Sequence, residues 1–267
     1  MTSRTAGIAA LVALTSVTAA FAQDPRELVT DRPDFTESSE VVGRGAIQIE
    51  TGFTLESDRA GAVRSRAITT PAILARFGVG SRVEVRVGGD GYLRGWTTSP
   101  ASPAVSGYSD VEVGAKVKWL DADGFDMSVI PALSVPTNDD HYSSGTFDTT
   151  VKVTWAADLP RAFGLSGNLN VARRGDQVGR FSQGAFSASL AHALAGPWGG
   201  YVEGYVFTPP PREVGAAWTV NGGVTRAIGA DMQLDLEIGR GVNRAATDWF
   251  VGVGFVVRRY PRSDGAR

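Results

Sequence analysis

From Ile47 to Glu56 the chain alternates strictly between oily and wet positions. Ile47, Ile49, Thr51, Phe53 and Leu55 share one side, while Gln48, Glu50, Gly52, Thr54 and Glu56 share the other. A two-residue period of this kind is that of a strand with one face in oil and one in water. The same demand recurs along the chain. Val83, Val85 and Val87 oppose Arg82, Glu84 and Arg86, and Val111, Val113, Ala115, Val117 and Trp119 oppose Asp110, Glu112, Gly114, Lys116 and Lys118. Later repeats set Val151, Val153 and Trp155 against Lys152 and Thr154, and Val202 and Val206 against Tyr201, Glu203 and Tyr205. Leu234, Leu236 and Ile238 oppose Gln233, Asp235 and Glu237, and a last strand aligns Trp249, Val251, Val253, Phe255 and Val257. The second strand, over residues 65–77, is blurred; Pro71 lacks a ladder donor and predicts a bend or bulge there.

These repeats predict an all-β fold, a transmembrane antiparallel up-and-down β-barrel of about 12 strands. Short turns near 78–80, 121–124, 158–162, 195–198 and 228–230 alternate with longer connections. The longest of these are predicted over 92–108 and 136–146, with a charged loop at Ser57–Gly61, a basic loop carrying Arg173, Arg174 and Arg180, and a stiff one at Pro209–Pro211. Short periplasmic turns and long extracellular loops produce that alternation. Trp119, Trp155, Trp198, Trp218 and Trp249 share parity with the apolar face and fall near strand ends, as in two interfacial girdles. A soluble sandwich or lipocalin-like barrel is the competing fold. It calls for larger and denser apolar residues and leaves the loop alternation without a cause.

Composition narrows the setting. Arg4, the apolar run Ile8–Ala20 and the small-x-small site Ala20-Phe21-Ala22 predict a signal peptide over residues 1–22, with Gln23 as the mature start. Residues 23–44, polar and broken by Pro33, are then a periplasmic N-terminal arm; 45–258 form the barrel and 259–267 a C-terminal tail. With no cysteine there is no disulfide, thiolate metal site or cysteine nucleophile, and a net charge of −2 argues against nucleic-acid binding.

The arm and the first strand carry a family likeness. Asp31, Arg32, Pro33, Asp34, Thr36, Glu37 and Ser38, followed by Gly45, Gln48, Glu50, Gly52 and Phe53, resemble the N-terminal signature of the outer-membrane transporter family linked to the meta-pathway of phenol degradation. The resemblance implies residence in the outer membrane of a Gram-negative bacterium and passage of an aromatic or hydrophobic solute. Gly252, Phe255 and Val257 resemble the signal read by the barrel-assembly machinery, although Arg258, Arg259, Tyr260 and Pro261 extend beyond it.

The lumen-facing candidates are Glu50, Glu84, Arg86, Glu112, Lys116, Lys118, Lys152, Glu203, Asp235 and Glu237, with Arg82 beside them. They either pair across strands in a solvated interior or form a polar ladder that selects a permeant. The arm either orders the approach to the first strand or folds into the mouth as a plug, pairing with Lys116, Lys118 and Lys152. Chemistry is poorly provided for. Ser189 and His192 fall on opposite faces of one strand, and His141 beside Asp139 and Asp140 is a weak metal set. No catalytic residue, metal or cofactor is assigned. The predicted function is passage of a small solute, with membrane lipid and the solute as partners. A closed structural or surface-interaction barrel using its aromatic loop, and a membrane-embedded hydrolase, are the alternatives.

Overall fold

The computed structural model describes residues 28–99, 102–138, 141–176, 179–210 and 215–260. The predicted signal peptide and the end of the tail lie outside them. Strands are β1 (Ile47–Ala60), β2 (Val63–Gly78), β3 (Val83–Gly89), β4 (Tyr92–Thr97), β5 (Val105–Tyr108), β6 (Val111–Ala122) and β7 (Phe125–Val135). They continue as β8 (Asp148–Leu159), β9 (Phe163–Asp176), β10 (Gly179–Ala193), β11 (Trp198–Phe207), β12 (Ala217–Ile228), β13 (Met232–Gly241) and β14 (Trp249–Arg259). All pair antiparallel, and β1 bonds both β2 and β14, so the sheet closes on itself. β3 and β4 lie end to end against β2, and β5 and β6 lie end to end against them. Fourteen segments therefore build twelve staves.

Closure leaves no sheet edge, so backbone groups can be satisfied inside a bilayer without water. The side chains are sorted in the reverse of a soluble protein. Val202 is 62 % exposed and Ile238 66 %, whereas Lys116 and Glu84 are fully buried. Trp119, Trp198, Trp218 and Trp249 are exposed on the same outward face. Among the described residues no helix is long and apolar enough to cross a membrane; the strands do so. The end bearing the short turns, the start of β1 and the finish of β14 is the periplasmic end.

Pro71 lies opposite a register break: Gly52 faces Ala72 but Thr54 faces Thr69, as its missing donor predicts. The loops differ from the expectation in three places. Tyr92–Thr97 and Val105–Tyr108, within the expected 92–108 loop, are strand. Ser57–Ala60 of the expected charged loop, and Arg173, Arg174 and Arg180 of the expected basic loop, are also in strands, and β1–β2 and β9–β10 are long hairpins. The physical reason is common to all three. Strands that outgrow the bilayer meet water on both faces, so their apolar alternation stops before their hydrogen-bond ladder does.

Outer-face packing relies on one small residue between β8 and β9. Trp155 pairs with Gly167, and a Cβ there would lie 2.5 Å from the indole and 2.7 Å from the Ser187 carbonyl oxygen. Gly167→Val is expected to destabilise the barrel by about 1–3 kcal/mol, read as a lower temperature for the folded-to-unfolded shift on a heat-modifiability gel. An unchanged transition would contradict this packing.

Candidate functional site

Residues 28–46 turn back through the mouth and into the lumen, where Asp31, Glu40 and Glu37 pair with Lys116, Lys118 and Lys152, the arrangement expected of an arm folded into the mouth. The reversal is made where Gly45 N–H donates to the Gly78 carbonyl at 2.7 Å and Gly78 N–H to that of Ala46 at 2.9 Å. Gly45 has φ +79°, and a Cβ on Gly78 would stand 2.0 Å from the Gly43 carbonyl oxygen. The glycines let arm and wall pass this closely.

Inside, the arm's acids meet the wall's cations. Asp31 lies 3.3 Å from Arg76, 2.5 Å from Arg86 and 2.8 Å from Lys116. Glu37 pairs with Arg86 at 2.7 Å and closely with Lys152, and Glu40 with Lys118 at 2.6 Å. Arg76 also reaches Glu50 at 2.9 Å and Glu84 at 2.8 Å. In this cluster four cations (Arg76, Arg86, Lys116, Lys152) face four carboxylates, two from the wall (Glu50, Glu84) and two from the arm (Asp31, Glu37).

The opposite wall holds the arm by its peptide groups. Glu203 accepts from the N–H of Phe35 at 2.9 Å and of Thr36 at 2.6 Å, and from the Thr36 hydroxyl at 2.5 Å. Arg32 donates to Asp235 at 3.2 Å. Its guanidinium fills a slot between two inward glycines that face each other, Gly52 on β1 and Gly254 on β14. The Phe35 ring rests on Tyr205 and Phe207, with centroids 4.7 and 5.1 Å apart. Glu50 and Glu84 take the N–H groups of Asp31 and Val42 at 3.0 and 2.7 Å. Ser128 donates its hydroxyl to the Ser39 carbonyl.

All ten lumen candidates sit on the inner face. Eight of them, Glu50, Glu84, Arg86, Lys116, Lys118, Glu203, Asp235 and Glu237, are buried; Glu112 and Lys152 are half-buried. At the level of the arm the expected water-filled interior is replaced by packed ion pairs. Arg82 departs from the set: it lies at the rim, exposed, 4.0 Å from Asp121. Arg76 and the arm's Glu40 were not among the candidates. Arg76 has the parity of Leu74 and Gly78, a signal present in the sequence but masked by the phase break at Pro71. Ser189 is buried on the inner face, while His192 lies outside, stacked on Phe163 at 4.2 Å. Asp139 and Asp140 of the loop set lie outside the described residues, and among those described no three acids or histidines are grouped for a metal.

Two cavities flank the arm. One, of about 840 Å³, is lined by Ser39–Arg44 and by turn residues such as Ser81, Asp123 and Asp158, so it opens toward the periplasm. The other, of about 730 Å³, is lined by Arg32 and Glu37 of the arm and by Asp90, Tyr142 and Asp176 near the outer loops.

Removing the Asp31 carboxylate leaves buried cations uncompensated, which costs about 3–5 kcal/mol. Asp31→Ala is therefore expected to release the arm from a still-folded barrel, read as chymotryptic cleavage after Phe35 that the unmodified protein resists. Equal resistance in both would refute the pinning. The arm also carries a pH signature. Burial pushes Glu37 up, but Arg86 and Lys152 outweigh it and hold it at about 2, against an ordinary 4.5. Asp31 is likewise buried, yet Arg76, Lys116 and Arg86 keep it well below the usual range. Burial, and then Glu203, raise Asp34. The depressed pair favours docking above its ordinary range and loses that contribution as pH falls through the docked values; raised Asp34 acts oppositely, but its effect is complete once pH is below its ordinary 3.8. Cleavage after Phe35 by an acid-active protease should rise as pH drops from about 4 toward 2; a flat profile would contradict the ionised pairing.

Comparison with solved structures identifies the fold. The NanC porin aligns with a TM-score of 0.51 at 8 % identity, over 79 % of this chain and 98 % of that one. The translocator domain of autotransporter NalP from Neisseria meningitidis aligns at 0.51 and 12 % identity, over 81 % and 89 %. The transport unit of the autotransporter AIDA-I from Escherichia coli aligns at 0.50 and 9 % identity, over 82 % and 91 %. The barrel is of the outer-membrane kind found in Gram-negative bacteria. A search of curated proteins finds no match to the sequence. Residues 30–259 match the family described as "Putative MetA-pathway of phenol degradation", which takes in both the arm and the barrel. The chain belongs to that family.

Proposed function

We propose that this barrel passes a small solute across the outer membrane and that its own arm closes the path. The observation carrying the proposal is the pair of cavities, one toward each side of the membrane, with the arm and the side chains that grip it between them. A barrel serving only as scaffold has no need of two vestibules meeting at a segment of its own chain. The family description favours an aromatic or hydrophobic solute. The lumen agrees to this extent, that Phe35 seats a ring against Tyr205 and Phe207. The lipid around the outward apolar face is the other partner. No catalytic role is proposed, since Ser189 and His192 lie on opposite sides of the wall.

A permanently sealed barrel is the second reading, favoured by the completeness of the ion pairing around Arg76 and Lys116. Deleting residues 23–42 separates the two. The channel reading expects sustained conductance in a planar bilayer where the intact chain is mostly closed. Unchanged conductance from a deletion that still folds, by heat-modifiability, would overturn it.

A further inference from the structure

The two walls of the lumen treat the arm differently. Among the described residues, every ion pair of Lys116 and of Lys152 runs to the arm, to Asp31 and to Glu37 respectively. Arg86 divides its contacts between those two acids and Glu84 of the wall. Arg76, by contrast, pairs with Glu50 and Glu84 of the wall as well as with Asp31 of the arm. Within this cluster the wall thus sets four cations, Arg76, Arg86, Lys116 and Lys152, against two ion-paired carboxylates of its own, Glu50 and Glu84, and the arm supplies two more.

We infer that Asp31 and Glu37 occupy the place of a carboxylate solute: the site at Arg86, Lys116 and Lys152 takes a small organic carboxylate, for which the arm is a built-in stand-in. The inference rests on the channel reading above and adds the charge class of the solute. The geometry is that of a carboxylate cradle. Lys116 Nζ lies 2.8 and 2.9 Å from the two Asp31 oxygens, and Arg86 Nη1 lies 2.5 Å from one of them. Lifting the arm takes from Lys116 and Lys152 their ion-pair partners among the described residues and leaves only the more distant wall charges of Glu84 and Glu112 to oppose them, which is unfavourable in a partly desolvated wall. Water or a neutral solute does not restore the balance. A carboxylate does, so it is the ligand that competes with the closed state and shifts the population toward the open one. Two acids of the other wall, Glu203 and Asp235, hold the arm through N–H groups and Arg32, so the cation excess is local to the cradle.

The test uses the full chain, unmodified and as Glu37→Gln, Lys152→Gln and Lys116→Gln, each checked for folding by heat-modifiability. Chymotryptic cleavage after Phe35 reports the arm, and planar-bilayer current in a KCl gradient reports the pore. Propionate and benzoate are expected to speed cleavage and raise open probability, with glucose and tetraethylammonium inert. Glu37→Gln should open with a reversal potential on the chloride side, and Lys116→Gln and Lys152→Gln should blunt the response to propionate. Opening that is cation-selective, or equal responses to propionate and glucose, would overturn the carboxylate assignment while leaving a channel. Carboxylate-driven cleavage with no current in any variant would instead uphold the mimicry and remove the channel. Neither cleavage nor current responding to a carboxylate would overturn the carboxylate assignment, with the deletion of residues 23–42 still deciding the channel.

Discussion

Asp31 is a buried carboxylate held by three cations from three different strands, Arg76, Arg86 and Lys116. An ionised group removed from water must find compensation or lose its charge. None of these four side chains is fully compensated without the rest, since Arg86 and Lys116 look to the arm and Arg76 ties the arm's acid to Glu50 and Glu84. That mutual dependence fixes where the arm lies, how the lumen is filled and why two cavities remain in place of one. Breaking such a cluster at one partner costs far more than removing it whole, so the arm behaves as one unit with the wall.

The barrel around it satisfies a different constraint. Backbone closure between β1 and β14 frees the outer face to be apolar, and residues such as Val202 and Ile238 can remain exposed to lipid. The interior must then be polar, and a narrow polar interior needs either water or a partner of opposite charge. Here the chain provides the partner itself. Inward glycines make room for it: Gly52 and Gly254 for Arg32, and Gly78 for the backbone at Gly43. On the outer face Gly167 serves the same purpose for Trp155.

Strand parity was legible wherever one face met lipid and the other did not. Glu84, Lys116 and Asp235 could be placed in the lumen from alternation alone, because a one-residue slip would have put a charge into the bilayer. The loops were less legible. Arg173 and Arg174 read as loop, since beyond the membrane a strand no longer needs an oily face. Arg76 was hidden by the phase break at Pro71. The grip of Glu203 on Phe35 and Thr36 left no trace, because a carboxylate bonded to peptide N–H groups asks for no particular residue at the other end.

The sequence by itself determined the barrel, its twelve-stave scale and the inward set of charges, because each follows from a period of two repeated against a single hydrophobic boundary. It also offered the arm's acids and the wall's lysines as possible partners. Only the tertiary structure decided that Asp31 meets Lys116, that Glu37 meets Lys152, and that the arm divides the lumen. Those contacts join positions 85 and 115 residues apart, and pairing at that range is set by barrel closure and the reversal at Gly45 and Gly78, neither of which local pattern encodes.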